Sequence, residues 1–128
     1  MQLLLDTRAL LWWVLDADEL SKPARKAIRD FNNEVFVSAV TVWEIAIKFR
    51  IGRLPEAEPF VHSFRSNLRK LGFSELAISA EHAQRAGLLP GEHKDPFDRM
   101  LIAQAQTEGF LLVSNEELFD AYHVHRIW

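Results

Sequence analysis

The chain has 128 residues, the size of one domain, and 48% of them are hydrophobic with 11% aromatic, enough to fill a core. It contains no cysteine, which excludes a disulfide framework and a thiolate metal site and suits a reducing, cytoplasmic setting. Fifteen Lys plus Arg against eighteen Asp plus Glu give a formal charge of -3, so any function directed at phosphate must rest on local arrangement rather than on a basic surface.

In chain order, Gln2 to Leu5 is a short apolar run ended by Asp6 and reads as a strand buried on both faces. Residues 8 to 15 read as a helix that is apolar nearly all round. Within it the longest unbroken apolar run, Ala9 to Leu15, is too short to cross a bilayer, and no basic stretch precedes it to make a secretion signal. A soluble protein without a membrane partner is expected. Ser21 or Lys22 ahead of Pro23, then Ala24, Ala27, Ile28 and Phe31 at helical spacing, predict a second helix that ends at Asn32-Asn33. Val35 to Val37 is rich in β-formers and predicts the second strand. Thr41 to Arg50 follows as a helix stopped near Gly52 and Pro55.

Phe60, Phe64, Leu68 and Leu71 recur at three-to-four spacing and predict one amphipathic helix. Leu76 to Ile78 reads as a third strand, with a short helix from about Ser79 to Ala86 and a loop at Leu88-Leu89-Pro90-Gly91. Asp95 to Thr107 is helical up to the break at Gly109. Phe110 to Val113 is a strand, Glu117 to Ala121 a turn, and Val124 to Trp128 an edge strand. Strands alternating with helices on such connections imply an α/β fold, a three-layer α/β/α sandwich over residues 1–128 with a central, mainly parallel sheet of four to five strands.

In such a sheet, ligands bind in the crevice beyond the carboxyl ends of the strands. Asp6, just after the first strand, Glu44, early in the helix after the second, and Glu116, just beyond the fourth, fall at that edge. Asp98 opens a helix that leads into a strand, and periodicity alone assigns it to the opposite edge. Each acid also has an ordinary duty: Asp6 as a helix cap, Glu44 as the partner of Lys48, Asp98 near the positive end of a helix, Glu116 as a solvated loop residue. Gathered together they would repel one another and raise at least one pKa. A divalent cation that prefers oxygen ligands, Mg²⁺ or Mn²⁺, removes that penalty.

Four segments, LLLDTRALLWWVL, VSAVTVWEIAIK, HKDPFDRMLIAQA and LLVSNEELFDAYHVHRIW, stand in an order that resembles a PIN domain of the VapC-toxin type, and the resemblance runs from Met1 to Trp128. It implies a compact α/β/α sandwich, a Mg²⁺ or Mn²⁺ centre, RNA endonuclease activity and a cognate antitoxin as partner. The first three acids of the family map onto Asp6, Glu44 and Asp98, which implies that the helix carrying Asp98 starts at the crevice after all. The fourth acid is usually Asp in a Val-Thr-x-Asp pattern. Here the run is Val113-Ser114-Asn115-Glu116, so either Glu116, through its longer arm or a water, or the oxygen of Asn115 takes that place.

An acidic cleft that takes RNA needs cations at its rim, and Arg99 beside Asp98 is the first candidate, with Arg8, Lys48, Arg50, Arg53 and Lys94 behind it. Thr7, Ser38 and Ser114 adjoin the acids and either orient ligands or cap turns, while Asp95 reads as an N-cap. His82 lies on a helix and His93 precedes the Asp95 cap. His123 and His125 alternate on an exposed edge strand without a third ligand for a transition metal. The Trp12-Trp13 pair, hard to bury from adjacent helical positions, predicts a homodimer with an apolar groove left for an antitoxin. Two other functions compete: a PIN-like binding module that has lost catalysis, with Glu116 as a symptom, and a phosphatase that uses Asp6 as nucleophile. The latter lacks the second acid two residues on, where Arg8 stands.

Overall fold

The computed structural model describes residues 1–128. Strands β1 (Gln2–Leu5), β2 (Glu34–Ser38), β3 (Ser74–Leu76), β4 (Leu111–Val113) and β5 (Arg126–Ile127) form one sheet in the order β3-β2-β1-β4-β5, with every neighbouring pair parallel. Around it lie α1 (Thr7–Val14), α2 (Lys22–Arg29), α3 (Ala39–Arg50), α4 (Glu58–Val61), α5 (Phe64–Leu71), α6 (Ala80–Leu88) and α7 (Pro96–Glu108), with 3-10 turns at Pro55–Ala57 and Glu117–Tyr122.

The alternation of side chains along the strands divides the core in two. Leu3, Leu5, Val35, Val37 and Val113 face one side, where Ala9 and Leu10 of α1, Ala24 and Ile28 of α2 and Leu68 of α5 meet them. Leu4 and Leu112 face the other, against Leu101, Ile102 and Ala105 of α7 and Phe119 of the second 3-10 turn. Leu3, Leu4 and Leu5 are wholly buried. Each such leucine contributes roughly 1.5–3 kcal/mol, so β1, clamped from both faces, fixes the sheet on which the site is built.

Register then decides what stands at the carboxyl edge. Leu5 pairs with Val37 on one side and Val113 on the other, so Asp6, Ser38 and Ser114 come level beyond the last rung. The chain winds outward from β1 to β2 and β3, then returns to the far side of β1 as β4, which makes the crevice above β1 the topological switch point. The placement of Asp98 at the opposite edge does not hold. A helix joining parallel strands runs antiparallel to them, so α7, which ends at the amino edge to feed β4, begins at the carboxyl edge and carries Asp98 there.

Other expectations shift locally. The stretch predicted as one helix from Phe60 to Leu71 breaks between Val61 and Phe64. Asn67 Nδ2 donates to the Pro59 and Phe60 carbonyls at 3.3 and 3.4 Å, satisfying groups the break releases. The third strand lies at Ser74–Leu76 rather than Leu76 to Ile78, because Ser38 pairs with Leu76 and ends the ladder there. The edge strand at the C-terminus shortens to Arg126–Ile127, and His123 and His125 precede it, exposed. Trp12 and Trp13 both find partners within the chain. The Trp12 ring lies 5.7 Å from that of Trp128 and the Trp13 ring 6.3 Å from that of Phe73, and both side chains stay half-buried. No helix is long and apolar enough to cross a membrane.

The segment between α6 and α7 is held by side chains rather than by regular structure. Arg99 donates to the carbonyls of Leu89 and His93, and the Tyr122 hydroxyl accepts the His93 N–H at 3.0 Å. Gly91 turns this segment at φ 102°, and a Cβ there would meet the Tyr122 ring at 2.8 Å. Gly91→Ala is therefore expected to cost about 1–3 kcal/mol, read as a fall in the urea-unfolding midpoint at unchanged m-value.

Candidate active site

Asp6 continues the β1 ladder, its N–H donating to the Val113 carbonyl at 3.1 Å. Its Oδ1 accepts the Ala9 N–H at 2.8 Å and caps α1, so the ordinary reading of this residue is met. It is also only 5% exposed. Burial holds its carboxyl above the usual range; the Ser114 hydroxyl, the Ala9 N–H and Arg8 draw it back, and Glu44 adds repulsion.

Glu44 lies in the second turn of α3, equally buried, and accepts the Thr7 hydroxyl at 2.5 Å while its other oxygen pairs with Lys48. Ser38 starts that helix earlier than predicted by accepting the Val40 N–H at 3.0 Å, so the first two turns rise directly off β2. Asp98 is the third residue of α7, whose N-terminus Asp95 caps by accepting the Phe97 and Asp98 N–H groups at 2.9 and 3.4 Å. Burial first, then Asp95, Asp6, Glu44 and Glu116, push the Asp98 carboxyl up to about 7. Glu116 stands just beyond β4 and accepts the Leu118 N–H at 3.2 Å as the cap of the second 3-10 turn.

These side chains share one cleft of about 510 Å³ at the carboxyl edge, walled by Asp6, Thr7, Glu44, His93, Asp95, Asp98, Asn115 and Glu116. Arg8, Lys48 and Arg53 line its rim, and of these only Lys48 is bound in an ion pair. Trp43, on the turn of α3 next to Glu44, stays 59% exposed and packs edge-on against Phe97 at 5.2 Å. A larger groove of about 1150 Å³ lies between α6 and the second 3-10 turn. It shares only His93 with the cleft and takes no residue from the carboxyl end of a strand, so convergent charge singles out the smaller one.

The donor set fits a hard, oxygen-seeking cation. Every acidic group in the cleft is a carboxylate, and Asn115 adds a carbonyl Oδ1 that is buried without a partner. No three Asp, Glu or His side chains stand close enough together, as they are placed, to hold one ion between them. The cleft therefore offers separate carboxylates rather than a ready-made set of ligands. It suits Mg²⁺ or Mn²⁺, which hold several waters and need only one or two carboxylates from the protein.

Two residues take places the sequence did not suggest. Arg99, expected at the rim, spends its guanidinium on the carbonyls of Leu89 and His93 and does not line the cleft. His93, read only as a residue before a cap, has its ring in the cleft wall with Nε2 at 3.1 Å from Asp98 Oδ2. Its place three residues before a helix-capping Pro-Phe-Asp run was the one available signal, and that spacing fixes no direction for the ring.

A family model described as the PIN domain matches residues 3–124. Ribonuclease VapC16 of Mycobacterium tuberculosis is 35% identical over 68 residues, 53% of this chain but only 48% of that protein. Ribonuclease VapC22 of the same organism is 28% identical over 116 residues, 88% of this chain and 85% of that one. The crystal structure of VapBC2 from Rickettsia felis, bound to a DNA fragment from their promoter, matches the fold with a TM-score of 0.73 at 16% identity, covering 98% of this chain and 97% of that one.

The raised Asp98 carboxyl carries a sign. Between its ordinary value of 3.8 and about 7, the metal-free folded chain keeps a proton that the unfolded chain has lost. Stability therefore falls as pH rises through that window and levels off above it. In chelator, Asp98→Asn is expected to flatten this slope and to melt higher than the wild type at about pH 8, in thermal scans run from about pH 4 upward.

Proposed function

The chain belongs to the PIN-domain family, and from that premise we propose that it is a Mg²⁺- or Mn²⁺-dependent endoribonuclease, the toxin of a toxin-antitoxin pair of the VapC type. The observation that carries this reading is the shared cleft. Asp6, Glu44, Asp98 and Glu116 arrive from four separate parts of the chain, and all of the other three raise the carboxyl of Asp98.

Asp6, Glu44 and Asp98 would hold the cation, directly or through its waters, with Glu116 and Asn115 beyond β4 at the same cleft. A bound divalent ion supplies charge neutralisation at phosphate oxygens and activates water for in-line attack on a phosphodiester. Thr7 fixes the rotamer of Glu44 through its hydroxyl, Ser114 and the Ala9 N–H fix Asp6, and Asp95 sets the start of α7 and so the position of Asp98. Asp98 must give up its proton before it can serve as a ligand, which ties binding to pH near neutrality. Arg8 and Arg53, free of ion pairs, attract the RNA backbone to an otherwise acidic opening. Attack by water with the 3′ oxygen leaving gives 5′-phosphate and 3′-hydroxyl ends. The partner side of the proposal follows the VapBC2 complex and the two ribonucleases named VapC: a cognate antitoxin binds this chain and silences it.

Two measurements test the reading. Asp6→Asn keeps a side-chain oxygen able to cap α1, so the variant should fold normally yet lose Mn²⁺-dependent cleavage of total RNA to background. Full activity in it refutes the assignment, and a wild-type chain that neither binds Mn²⁺ nor cuts points to a binding module instead. In the inactive variant, RNA affinity should weaken steeply with salt, and adding Arg53→Ala should lower the log–log slope by roughly 0.7, the value for one single-strand phosphate contact.

A further inference from the structure

Among the side chains lining the cleft, only His93 holds a buried ring nitrogen that nothing satisfies. Its Nδ1 accepts the Asp95 N–H at 3.3 Å, which puts the proton of the neutral ring on Nε2. That Nε2 sits 3.1 Å from Asp98 Oδ2 but off the line of a hydrogen bond. The ring cannot swing to correct this. It is 7% exposed and stacked on Phe119 with centroids 5.9 Å apart and planes at 30°. Its own backbone is pinned on both sides, the N–H to the Tyr122 hydroxyl and the carbonyl to Arg99. The Asp98 carboxylate, by contrast, is 22% exposed and has no other side-chain donor, so it is the partner that can turn. Buried donors without acceptors are rare in folded proteins, and catalytic hydrogen bonds often align only when the ligand arrives.

We propose that His93 is a positioning residue for Asp98. Resting on the metal-centre reading above, its Nε2–H takes one oxygen of the Asp98 carboxylate and so aims the other into the cleft. The arrangement has the logic of outer partners that orient metal ligands elsewhere, here with the imidazole as donor to the carboxylate rather than as ligand.

The test compares two substitutions that differ in one function. His93→Phe keeps a flat ring against Phe119 and removes the donor, whereas His93→Gln restores a donor of similar reach. Mn²⁺ titrated by calorimetry into the full chain should bind roughly tenfold to a hundredfold more weakly to His93→Phe, and His93→Gln should recover most of that loss even if its melting temperature is the lower of the two. In ¹⁵N spectra of the wild type the His93 ring should be in the Nε2–H form, and its Nε2 resonance should move on adding Mg²⁺. Unchanged affinity in His93→Phe, equal losses in both variants, or a ring protonated on Nδ1 overturns the inference while leaving the metal centre standing. A wild-type chain that binds no Mn²⁺ overturns both together.

Discussion

Repulsion among carboxylates crowded at the carboxyl edge of a parallel sheet is the constraint to which the rest of this molecule answers. Folding alone would not gather Asp6, Glu44, Asp98 and Glu116 around one cleft, since burial and mutual repulsion raise the carboxyls of Asp6 and Asp98 and oppose the folded state. The opposing force comes from the strand beneath. Leu3, Leu4 and Leu5 are buried on alternating faces of the sheet, and Asp6 is carried along as the next residue. Hydrogen bonds then set each acid individually: the Thr7 hydroxyl on Glu44, the Ala9 N–H on Asp6, the Asp95 cap beneath Asp98. A protein under selection for stability alone would place neutral residues at these positions.

Ordinary and functional duties coincide at these residues. Asp6 caps a helix and lines the cleft. Glu44 pairs with Lys48 four residues on and still presents a buried carboxylate to Asp6. Glu116 caps a 3-10 turn from the mouth of the same opening. One residue at a time, the local explanation of each is sufficient. Only the sheet order, which brings β1, β2 and β4 side by side, shows that the explanations meet in one place.

How much of this was legible in the sequence follows from where the signal is local. Strands buried on both faces announce themselves as apolar runs, and β1, β2 and β4 were readable for that reason; the cap at Asp95 was readable from residue type. The edge strand β3 reads Ser-Glu-Leu, half solvated, and its position is set by pairing with Phe36 to Ser38 rather than by its own composition. The break near Ser63 depends on Asn67 reaching back to carbonyls, which periodicity cannot register. Asp6 and Glu44 could be assigned to the correct edge because each follows a strand. Periodicity alone misplaced Asp98, the family resemblance put it at the crevice, and the physical reason is that its helix runs counter to the strands. Arg99 and His93 were misjudged in opposite directions, because what a side chain touches across the loop between α6 and α7 is written in tertiary contacts alone.

The central strand has a consequence for biosynthesis. β1 leaves the ribosome before the other strands of the sheet, yet its second neighbour, β4, begins only at Leu111, and Leu3 must wait for that residue before its ladder is complete. Closing so long a loop is entropically slow, and nothing shorter substitutes for it. A nascent chain thus carries Asp6 and Glu44 before it has the wall that Ser114, Asn115 and Glu116 provide. A cleft built this way has no complete wall until the segment that begins at Leu111 has emerged and paired with β1.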